Sequence, residues 1–447
     1  MRSTPLSEKV HEAIRHIETR EFHEVIPLQG ARNVVLFCSL LSDVELCQTD
    51  GDAVVINGTK ACLAPTPESA EEMLADIKLQ TDRVDDYLTS GPHEAALYCG
   101  TNRDHAGNIT ATTCKASALW RPGSKGIDGT SSLSAENRQL FPHLAQPCPD
   151  IEPLTRRMMQ EALRISLTRD CIRDVTIPVK GVSKEALRLV QVNFNNGQVI
   201  HGDTGRVSMT VAVPRGCGIV LLFLTGGNAA HAEGLRNDLL LIGPGQSTIR
   251  RIDGDVIVLD GAAQDVNEVT GRFIQTWYRL GGGEDSTCEY HRAGGVPTQS
   301  LRSIAGGTDV DTLKCDVQGE DLGGLVRVRN VMGQTTIAKR THQGGDRLRL
   351  QTDSGDIRVR LAGQLAGQVS VTLSSAAGRL VFPALQKLQE AGDLSVANDT
   401  TLMSVTTVMN RPGNVIRQGA LDADIVAQSR EGTIIVESLE APASPAS

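Results

Sequence analysis

The sequence contains few aromatic residues. Four Tyr, two Trp and seven Phe make up 3% of its 447 residues, whereas glycine occurs 44 times. A globular enzyme core usually carries more aromatic side chains, and sugar-binding grooves commonly stack aromatic rings on their ligands. The composition therefore favours a narrow core of Val, Leu, Ile and small residues, and it disfavours a carbohydrate-active enzyme.

The motifs that identify common chemistries are also missing. The sequence has no C-x-x-C pair, no G-x-x-x-x-G-K-[ST] phosphate loop, no G-x-S-x-G nucleophile elbow and no H-E-x-x-H helix. We therefore predict neither a catalytic residue nor a cofactor. The net charge is −9 and no sustained basic run occurs, which argues against a nucleic-acid partner.

Long apolar segments are lacking as well. The first ten residues contain no apolar region typical of a secretory signal, and no window has the length and apolarity of a spanning helix. These features predict a cytoplasmic protein with no membrane span. The ten cysteines are scattered, and Cys38, Cys217 and Cys315 lie in apolar, strand-like surroundings. We expect those three to be buried, reduced thiols.

The sequence does contain a repeat of glycine turns and short strands between residues 324 and 380. Its glycines, 9 to 12 residues apart, are Gly324, Gly333, Gly345, Gly355, Gly367 and Gly378. In Asp356–Leu361 and in Leu325–Arg329, aliphatic residues alternate with arginines, which is the pattern of a half-buried strand. Because burying a charge is costly, we expect the arginines to face solvent.

The repeat length indicates the fold. Two strands with their turns take 21 to 23 residues, a period typical of stacked solenoid repeats. We predict a mainly β fold: a parallel β-solenoid, similar to a β-helix, with a helical and irregular insertion near the N-terminus. An antiparallel sandwich is the alternative, because its strands recur at similar spacing.

The periodicities divide the chain into five segments. We predict an N-terminal helix over 1–23 that could cap the array, first array strands over 24–60, a helical and irregular insertion over 61–173, a β-solenoid array over 174–438, and a disordered tail over 439–447. The helical segments of this division are predicted from apolar residues that recur at helical spacing. They are Val10, Ile14 and Ile17; then Met73, Ile77, Val84, Tyr87 and Leu88 after a Thr66 cap with Pro67 at the first helical position; then Leu154, Met158, Ala162 and Ile165 within Glu152–Arg173.

Aromatic residues in two irregular stretches are the candidate partner surface. Trp120 lies within Gly91–Pro149, and Trp277 and Tyr278 lie within Gly271–Pro297. An exposed tryptophan can anchor a protein partner, whereas a buried one holds its loop in place. Both interpretations stay open.

Two groups of residues could bind metal ions. The first is His93, Cys99, His105 and Cys114, whose spacing matches no established ligand pattern. The second is a possible calcium-binding ladder of Asp253, Asp255, Asp353 and Asp356 at turns. Turn formation alone also favours aspartate at such positions. We predict no metal site from either group.

Several segments resemble the bacterial putative-adhesin β-solenoid family. They are Ser42–Leu46, Asp50–Gly58, Val211–Gly216, Gly254–Val258 and Ser354–Val359. Family members repeat a Ser-Gly-Asp-apolar-x-apolar motif and carry a Val-Pro-x-Gly segment. The resemblance covers Val34–Gly58 and most of Thr176–Glu437. It implies a right-handed parallel β-helix-like domain with no assigned chemistry.

Three functions follow from these features. The first is a non-enzymatic scaffold or adhesin-like module whose repetitive strand face binds an unknown protein partner. The alternative is a carbohydrate-active β-helix enzyme, either a hydrolase or a lyase, which needs clustered carboxylates beside aromatic platforms. The third is self-association through the unpaired ends of the solenoid.

Overall fold

The structure, a computed structural model, is that of a mainly β protein. The residues that it describes are 16–38, 40–64, 66–86, 95–103, 109–118, 157–169, 175–178, 194–195, 198–201, 205–223, 229–243, 246–259, 263–276, 298–341, 343, 345–362, 371–375, 380–381, 394–397, 414–418 and 424–439. The chain divides into two compact units, one of Met1–Ser124 with Glu152–Ser247 and one of Lys125–Ile151 with Thr248–Ser447.

The first unit contains one helix and the first strands of the chain. In order they are β1 (His16–Pro27), β2 (Asn33–Cys38), β3 (Leu41–Thr49), β4 (Ala53–Ala64), α1 (Pro67–Asp76), β5 (Ile77–Asp86), β6 (Ala95–Arg103), β7 (Ile109–Ala118), β8 (Gln160–Arg169), β9 (Val175–Pro178), β10 (Phe194–Asn195), β11 (Gln198–His201), β12 (Gly205–Pro214), β13 (Gly218–Phe223), β14 (Ala229–Glu233) and β15 (Leu239–Ile242).

Most of these strands belong to two sheets. One has the order β1-β4-β12-β3-β14, in which β12, β3 and β14 run parallel while β4 pairs antiparallel with both of its neighbours. The other has the order β15-β13-β2-β8-β5, in which β5 alone pairs antiparallel. β6 and β7 form a hairpin, and β9, β10 and β11 form a small antiparallel sheet.

The two larger sheets of this unit are buried differently. Along β12, Val207, Met209 and Val211 are buried and Ser208 between them is exposed. Along β13 and β15, by contrast, successive residues are buried, so both faces of these strands are covered. Strands that are apolar on both faces are typical of parallel sheets with both sides covered.

Helix α1 packs on the first of these sheets. Thr66 caps it by accepting a hydrogen bond from the Ser69 backbone N–H at 3.2 Å, and Pro67 opens it, as the sequence predicts. Its Met73 and Leu74 are buried in a cluster with Cys62 and Ala64 of β4. The helix ends at Asp76, where the chain turns directly into β5.

The second unit contains the remaining strands. In order they are β16 (Gln246–Ile252), β17 (Val256–Leu259), β18 (Ala263–Val269), β19 (Phe273–Thr276), β20 (Thr298–Ile304), β21 (Thr308–Lys314), β22 (Asp316–Glu320), β23 (Leu325–Met332), β24 (Thr335–Lys339), β25 (Arg347–Ser354), β26 (Ile357–Leu361), β27 (Val371–Ser375), β28 (Leu380–Val381), β29 (Leu394–Ala397), β30 (Asn414–Gln418), β31 (Ile425–Ser429) and β32 (Ile434–Ser438).

Successive strands of this unit alternate between two sheets. Sheet A has the order β16-β18-β20-β22-β24-β26-β32-β28, and sheet B has the order β17-β19-β21-β23-β25-β31-β27-β30-β29. From β17 to β24, each strand pairs in parallel with the strand two places further along the chain. The last pair, β31 and β32, breaks the chain order, because it lies beside β25 and β26 and separates them from β27 and β28.

Glycines allow neighbouring turns of the second unit to lie in contact. A Cβ atom added to Gly355 would overlap the carbonyl oxygen of Gly333, and one added to Gly432 would overlap the carbonyl oxygen of Gly355. These three residues therefore form a column in which no side chain fits. The glycine spacing in the sequence reflects this close approach of successive turns.

Two of the predicted helices are wrong where the structure describes them, and a third is shorter than predicted. Ile17 lies in strand β1 and not in a helix; Ile77 and Val84 lie in β5; and Ala162 and Ile165 lie in β8. A continuous apolar run fits a helix or a buried strand equally well, and here pairing decides, because β8 is hydrogen-bonded between β2 and β5. The predicted positions Val10, Ile14, Tyr87, Leu88 and Leu154 lie outside the described residues.

Other sequence predictions are confirmed. Ile357, Val359 and Leu361 of β26 are buried while Arg358 is exposed, as the alternation in Asp356–Leu361 predicts. Cys38, Cys217 and Cys315 are buried, and none of the three forms a disulfide bond. The division into five segments stays a prediction.

Candidate interaction face

The solvent side of sheet A carries two straight rows of side chains. One row is Asp265, Ser300, Gln318, Thr336, Arg358 and Ile435, and the other is Asn267, Arg302, Glu320, Ala338, Arg360 and Glu437. Each row crosses six strands, one residue from each, and all twelve residues are exposed or partly exposed. We call these two rows the outer face. At about 4.8 Å between strands they extend over roughly 24 Å.

A row of buried residues on the opposite side of the sheet fixes this orientation. It contains Val266, Leu301, Ile337, Val359 and Val436, each with at most 1% of its surface exposed. Because side chains alternate across a strand, burial of this row directs its neighbours to solvent. A register slip of one residue would bury the charges of the outer face, so the register is strongly specified.

Asp265 of the outer face connects charges of three neighbouring strands. It accepts hydrogen bonds from Arg250, at 2.5 Å, and from Arg302, at 2.9 Å, which come from the strands on either side. Burial acts to raise the pKa of Asp265, but the hydrogen bonds from the two arginines outweigh it and lower the pKa below its ordinary value. The carboxylate therefore stays ionised and ties three strands together.

Further ion pairs continue along the same face. Arg340 contacts Glu320 and also Asp321, the latter at 3.3 Å. Glu437 lies 3.8 Å from Arg358 and 3.5 Å from Arg360. Positive and negative charges are thus interspersed and largely paired, and the face has no strong field of either sign.

Uncharged polar side chains occupy the middle of the face. Ser300, Gln318 and Thr336 are direct neighbours on β20, β22 and β24. Their hydroxyl and amide groups both donate and accept hydrogen bonds. A partner can therefore bond to this part of the face without breaking the ion pairs around it.

A repeated backbone irregularity runs along one border of the face. Arg251, Glu268, Ser303 and Asp321 adopt left-handed conformations, with φ of 54°, 58°, 53° and 53°. Such values are uncommon for residues other than glycine, and their recurrence at equivalent places indicates a repeated bulge. Each bulge adds a second polar residue in succession at the border, as with Arg302 and Ser303, which are both exposed.

Sheet B holds a second group of charges, of which Asp311 and Arg329 are buried. Asp309 and Asp311 of β21 lie directly opposite Arg327 and Arg329 of β23. Arg329 donates from Nη2 to Asp311 Oδ2 at 2.5 Å and from Nε to Asp311 Oδ1. Burial raises the pKa of Asp311 to about 7, although Arg329 acts to lower it. The prediction that both arginines of Leu325–Arg329 face solvent is therefore wrong for Arg329, whose side chain is 4% exposed, because a carboxylate compensates its buried charge.

The structure does not describe the aromatic residues that the sequence offers as a partner surface. Trp120, Trp277 and Tyr278 are not among the described residues, so the surface predicted from them stays a prediction. The carbohydrate-active alternative depends on the same aromatic residues, and it also stays a prediction.

The first predicted metal group is only partly described. His93 and His105 lie outside the described residues, while the β6–β7 hairpin places the backbone of Cys99 directly opposite that of Cys114. Among the residues that the structure describes, no three His, Cys, Asp or Glu side chains are grouped as metal ligands.

The turn aspartates bond to backbone or hydroxyl groups of the next turn. The pairs are Asp253 with the Thr270 hydroxyl, Asp255 with the Arg272 backbone N–H, and Asp356 with the Thr433 backbone N–H, each at 2.8 Å. For the fourth, Asp353, burial raises the pKa of the carboxyl. The first three residues thus have the structural role that turn formation predicts.

Sequence reasoning missed most of the outer face. The strands Gln246–Ile252, Ala263–Val269 and Thr298–Ile304 interrupt the period of two, since the bulge places two polar residues between buried ones. A signal was present: buried apolar residues three apart, as in Ile249 and Ile252, recur in Val266 and Val269 and in Leu301 and Ile304. That spacing resembles a helical period and hides the strands.

Comparisons with known proteins identify no family. No protein-family model and no curated protein matches the chain. A solved structure of a putative cell adhesion protein from Clostridium sporogenes matches at 6% identity with a TM-score of 0.15, over 94% of this chain and 100% of that one. In the described part of the chain, no helix combines the length and the apolar character needed to cross a bilayer.

Proposed function

We propose that this protein is a non-enzymatic, adhesin-like interaction scaffold, built as a parallel β-solenoid, whose outer face binds a protein partner. The alternation of successive strands between sheets A and B supports the solenoid, because each strand from β17 to β24 pairs in parallel with the strand two places further along the chain. Solenoids commonly bind partners through the extended, rigid surface that their stacked repeats create.

The outer face is the observation that carries the proposal. Two rows of six side chains stand in register over a buried row, and their ion pairs join neighbouring strands. A rigid surface loses little conformational entropy on binding, so weak contacts over its length can sum to a stable complex. Mixed, paired charge around an uncharged centre suits a protein partner better than a polyanion.

A capture experiment tests the face directly. Gln318→Arg with Thr336→Arg adds two bulky charges at neighbouring positions in the centre of the outer face. The matched control is Ser208→Arg with Thr59→Arg, also two neighbouring solvent-facing polar residues, on β12 and β4 of the first unit. Each protein is immobilised and exposed to native lysate, and captured proteins are then measured individually for binding.

We expect a partner that binds the unaltered chain and the control equally, and binds the outer-face variant at least about tenfold more weakly, which corresponds to about 1.4 kcal/mol. Equal binding to all three proteins would contradict the assignment of the outer face. Failure of the unaltered chain to bind any protein would contradict the scaffold function. Equal thermal stability of the three proteins confirms that folding is unchanged.

A further inference from the structure

Strand β1 is the end strand of its sheet in the first unit. Its twelve residues, His16–Pro27, pair with β4 in an unbroken antiparallel register. No other described strand pairs with its second side. An exposed strand edge of this length offers a row of unpaired backbone groups to another chain.

The hydrogen-bonding pattern between β1 and β4 shows which backbone N–H and C=O groups lie at this edge. Leu28 N–H donates to the Asp52 carbonyl at 3.3 Å, which continues the register that pairs Pro27 with Ala53. Residues of even number therefore bond to β4, since antiparallel strands bond through alternate residues. The odd-numbered residues, from Ile17 to Val25, direct their N–H and C=O groups to the free edge. Pro27 belongs to this set, and its missing N–H costs no bond within the sheet.

We propose that two copies of this chain associate through β1, in antiparallel pairing about a two-fold axis at Phe22. In this register Arg20 lies opposite Glu24 of the second copy, and Glu21 lies opposite His23 of the second copy. Symmetry repeats each pair, so four cross-strand pairs of complementary chemistry form. Such pairs stabilise a sheet, and like charges placed opposite each other destabilise it.

Neighbouring registers lack this complementarity. Centring the pair on Arg20, Glu21 or Glu24 would place that charged residue opposite its own copy. Centring it on His23 would place Glu21 opposite Val25 and would bring no opposite charges together. The sequence of β1 therefore favours Phe22 as the centre, and eleven residues of each copy, from Ile17 to Pro27, would then pair over about 34 Å.

Exposure of apolar side chains points to the same edge. Four large apolar side chains are exposed in the described part of the chain, and two of them, Ile17 at 46% and Val25 at 54%, lie on β1. Both belong to the odd-numbered set. In the proposed register Val25 lies opposite Thr19 of the second copy and Ile17 lies opposite Pro27, so pairing would shield both from water.

The even-numbered side chains leave room for a second copy. Phe22 covers Gly58 of β4, and the Lys60 ammonium lies 5.4 Å from the centre of its ring. Arg20 pairs with Glu71 of α1, but 45% of its side chain is exposed. A guanidinium has five N–H donors, so Arg20 can hold Glu71 and a second carboxylate together.

Charge reversal tests the register in the full chain. Arg20→Glu and Glu24→Arg each place like charges opposite each other twice, whereas the double variant restores opposite charges in reversed order. We expect sedimentation velocity to show a dimer for the unaltered chain, about a tenfold or greater rise in the dimer dissociation constant for each single variant, and recovery for the double variant. Glu45→Arg, an exposed residue within the same sheet, is the control and should leave the dimer unchanged.

A second measurement does not depend on charge. Phe22→Cys places the same residue opposite itself, so oxidation should yield a disulfide-linked dimer above the background of the native cysteines. Glu18→Cys lies opposite Ile26 of the second copy in this register, so its oxidation should not yield a disulfide-linked dimer above that background. For a dissociation constant of about 1 μM, a dimer would predominate well below about 100 μM. A chain that stays monomeric at all concentrations up to about 100 μM therefore overturns the proposal. So does a dimer that resists both single reversals, or one that the double variant fails to restore.

Discussion

Two groups of arginine and aspartate residues in the second unit have the same chemistry and different surroundings. On the outer face, Arg302 keeps 48% of its side chain exposed and shares Asp265 with Arg250. On sheet B, the side chain of Arg329 is 4% exposed and lies opposite Asp311. Exposed pairs contribute little to stability because water competes for both partners, whereas a buried charge is costly once its partner is removed.

The difference separates two roles. The pairs of the outer face can be rearranged by a binding partner at small cost, so they suit recognition. The Arg329–Asp311 pair holds β21 against β23 and cannot be disturbed without leaving a charge uncompensated inside the protein. We therefore expect substitutions on sheet B to affect folding and substitutions on the outer face to affect binding.

The largest expected effect is that of Arg329→Met. It leaves the Asp311 carboxyl buried without its arginine, and we expect the free energy of unfolding to fall by about 3–5 kcal/mol. Chemical denaturation of the full chain measures this. The double variant Arg329→Met with Asp311→Leu should recover much of the loss, since neither charge of this pair is then left without its partner. A loss below about 1 kcal/mol for the single variant would show that the pair is no more valuable than an exposed one.

The pH dependence of stability should also distinguish the two carboxylates. Burial raises the pKa of Asp311 to about 7, above the value of about 3.9 in an unfolded chain. The native state therefore retains this proton longer than the unfolded state, so the contribution of Asp311 is largest below pH 4 and declines as pH rises to about 7. Arg250 and Arg302 lower the pKa of Asp265, so its contribution is present above about pH 4 and is lost in more acidic solution.

Comparison of the unaltered chain with an asparagine variant of each aspartate measures how the contribution of that carboxylate to stability changes with pH. Unfolding free energies of the unaltered chain, Asp311→Asn and Asp265→Asn are followed from pH 3 to pH 8. The advantage of the unaltered chain over Asp311→Asn should decrease with rising pH between about 4 and 7. Its advantage over Asp265→Asn should instead decrease as pH falls below about 4. Parallel slopes for the two pairs would contradict the difference in burial.

Close stacking of the turns keeps the strands of both sheets in register, and Gly355→Ala should disturb it. The added Cβ would overlap the Gly333 carbonyl oxygen, and overpacking of this kind costs about 1–3 kcal/mol. Gly51→Ala is the matched control, because the nearest described atom to its Cβ would be the Thr49 hydroxyl oxygen at 3.5 Å, an ordinary contact. Thermal denaturation of both variants checks the difference. Equal melting temperatures would mean that the turns are not in contact.

The sequence predicts a strand where alternation depends on one buried face, and it fails where burial depends on a distant partner. Alternation correctly predicts β26, since Ile357 and Val359 need only one buried face. It fails for Arg329, because burial there depends on Asp311, eighteen residues earlier and brought opposite only by strand pairing. The bulges hide β18 and β20 by giving a strand the spacing of a helix.

Strand order was equally hidden. β31 pairs with β25 across more than sixty intervening residues and displaces β27 from that position. No local sequence pattern predicts which strand pairs with β25, because the strands of a repeat resemble one another. The similarity of the strands to one another reveals the repeat. For the same reason, the sequence does not predict the order of the strands in the sheet.

The smallest expected effect is that of Arg302→Met on the outer face. Asp265 keeps its hydrogen bond from Arg250, at 2.5 Å, after this change, and we expect the free energy of unfolding to change by no more than about 1 kcal/mol. High salt should reduce even this difference, because the pair is exposed. Arg302 and Arg329 are both paired arginines in parallel strands of one unit, so the ratio of their effects reflects their difference in burial together with the second arginine, Arg250, that Asp265 keeps. A loss for Arg302→Met as large as that for Arg329→Met would mean that the outer face contributes to folding, and its ion pairs could not then rearrange freely around a partner.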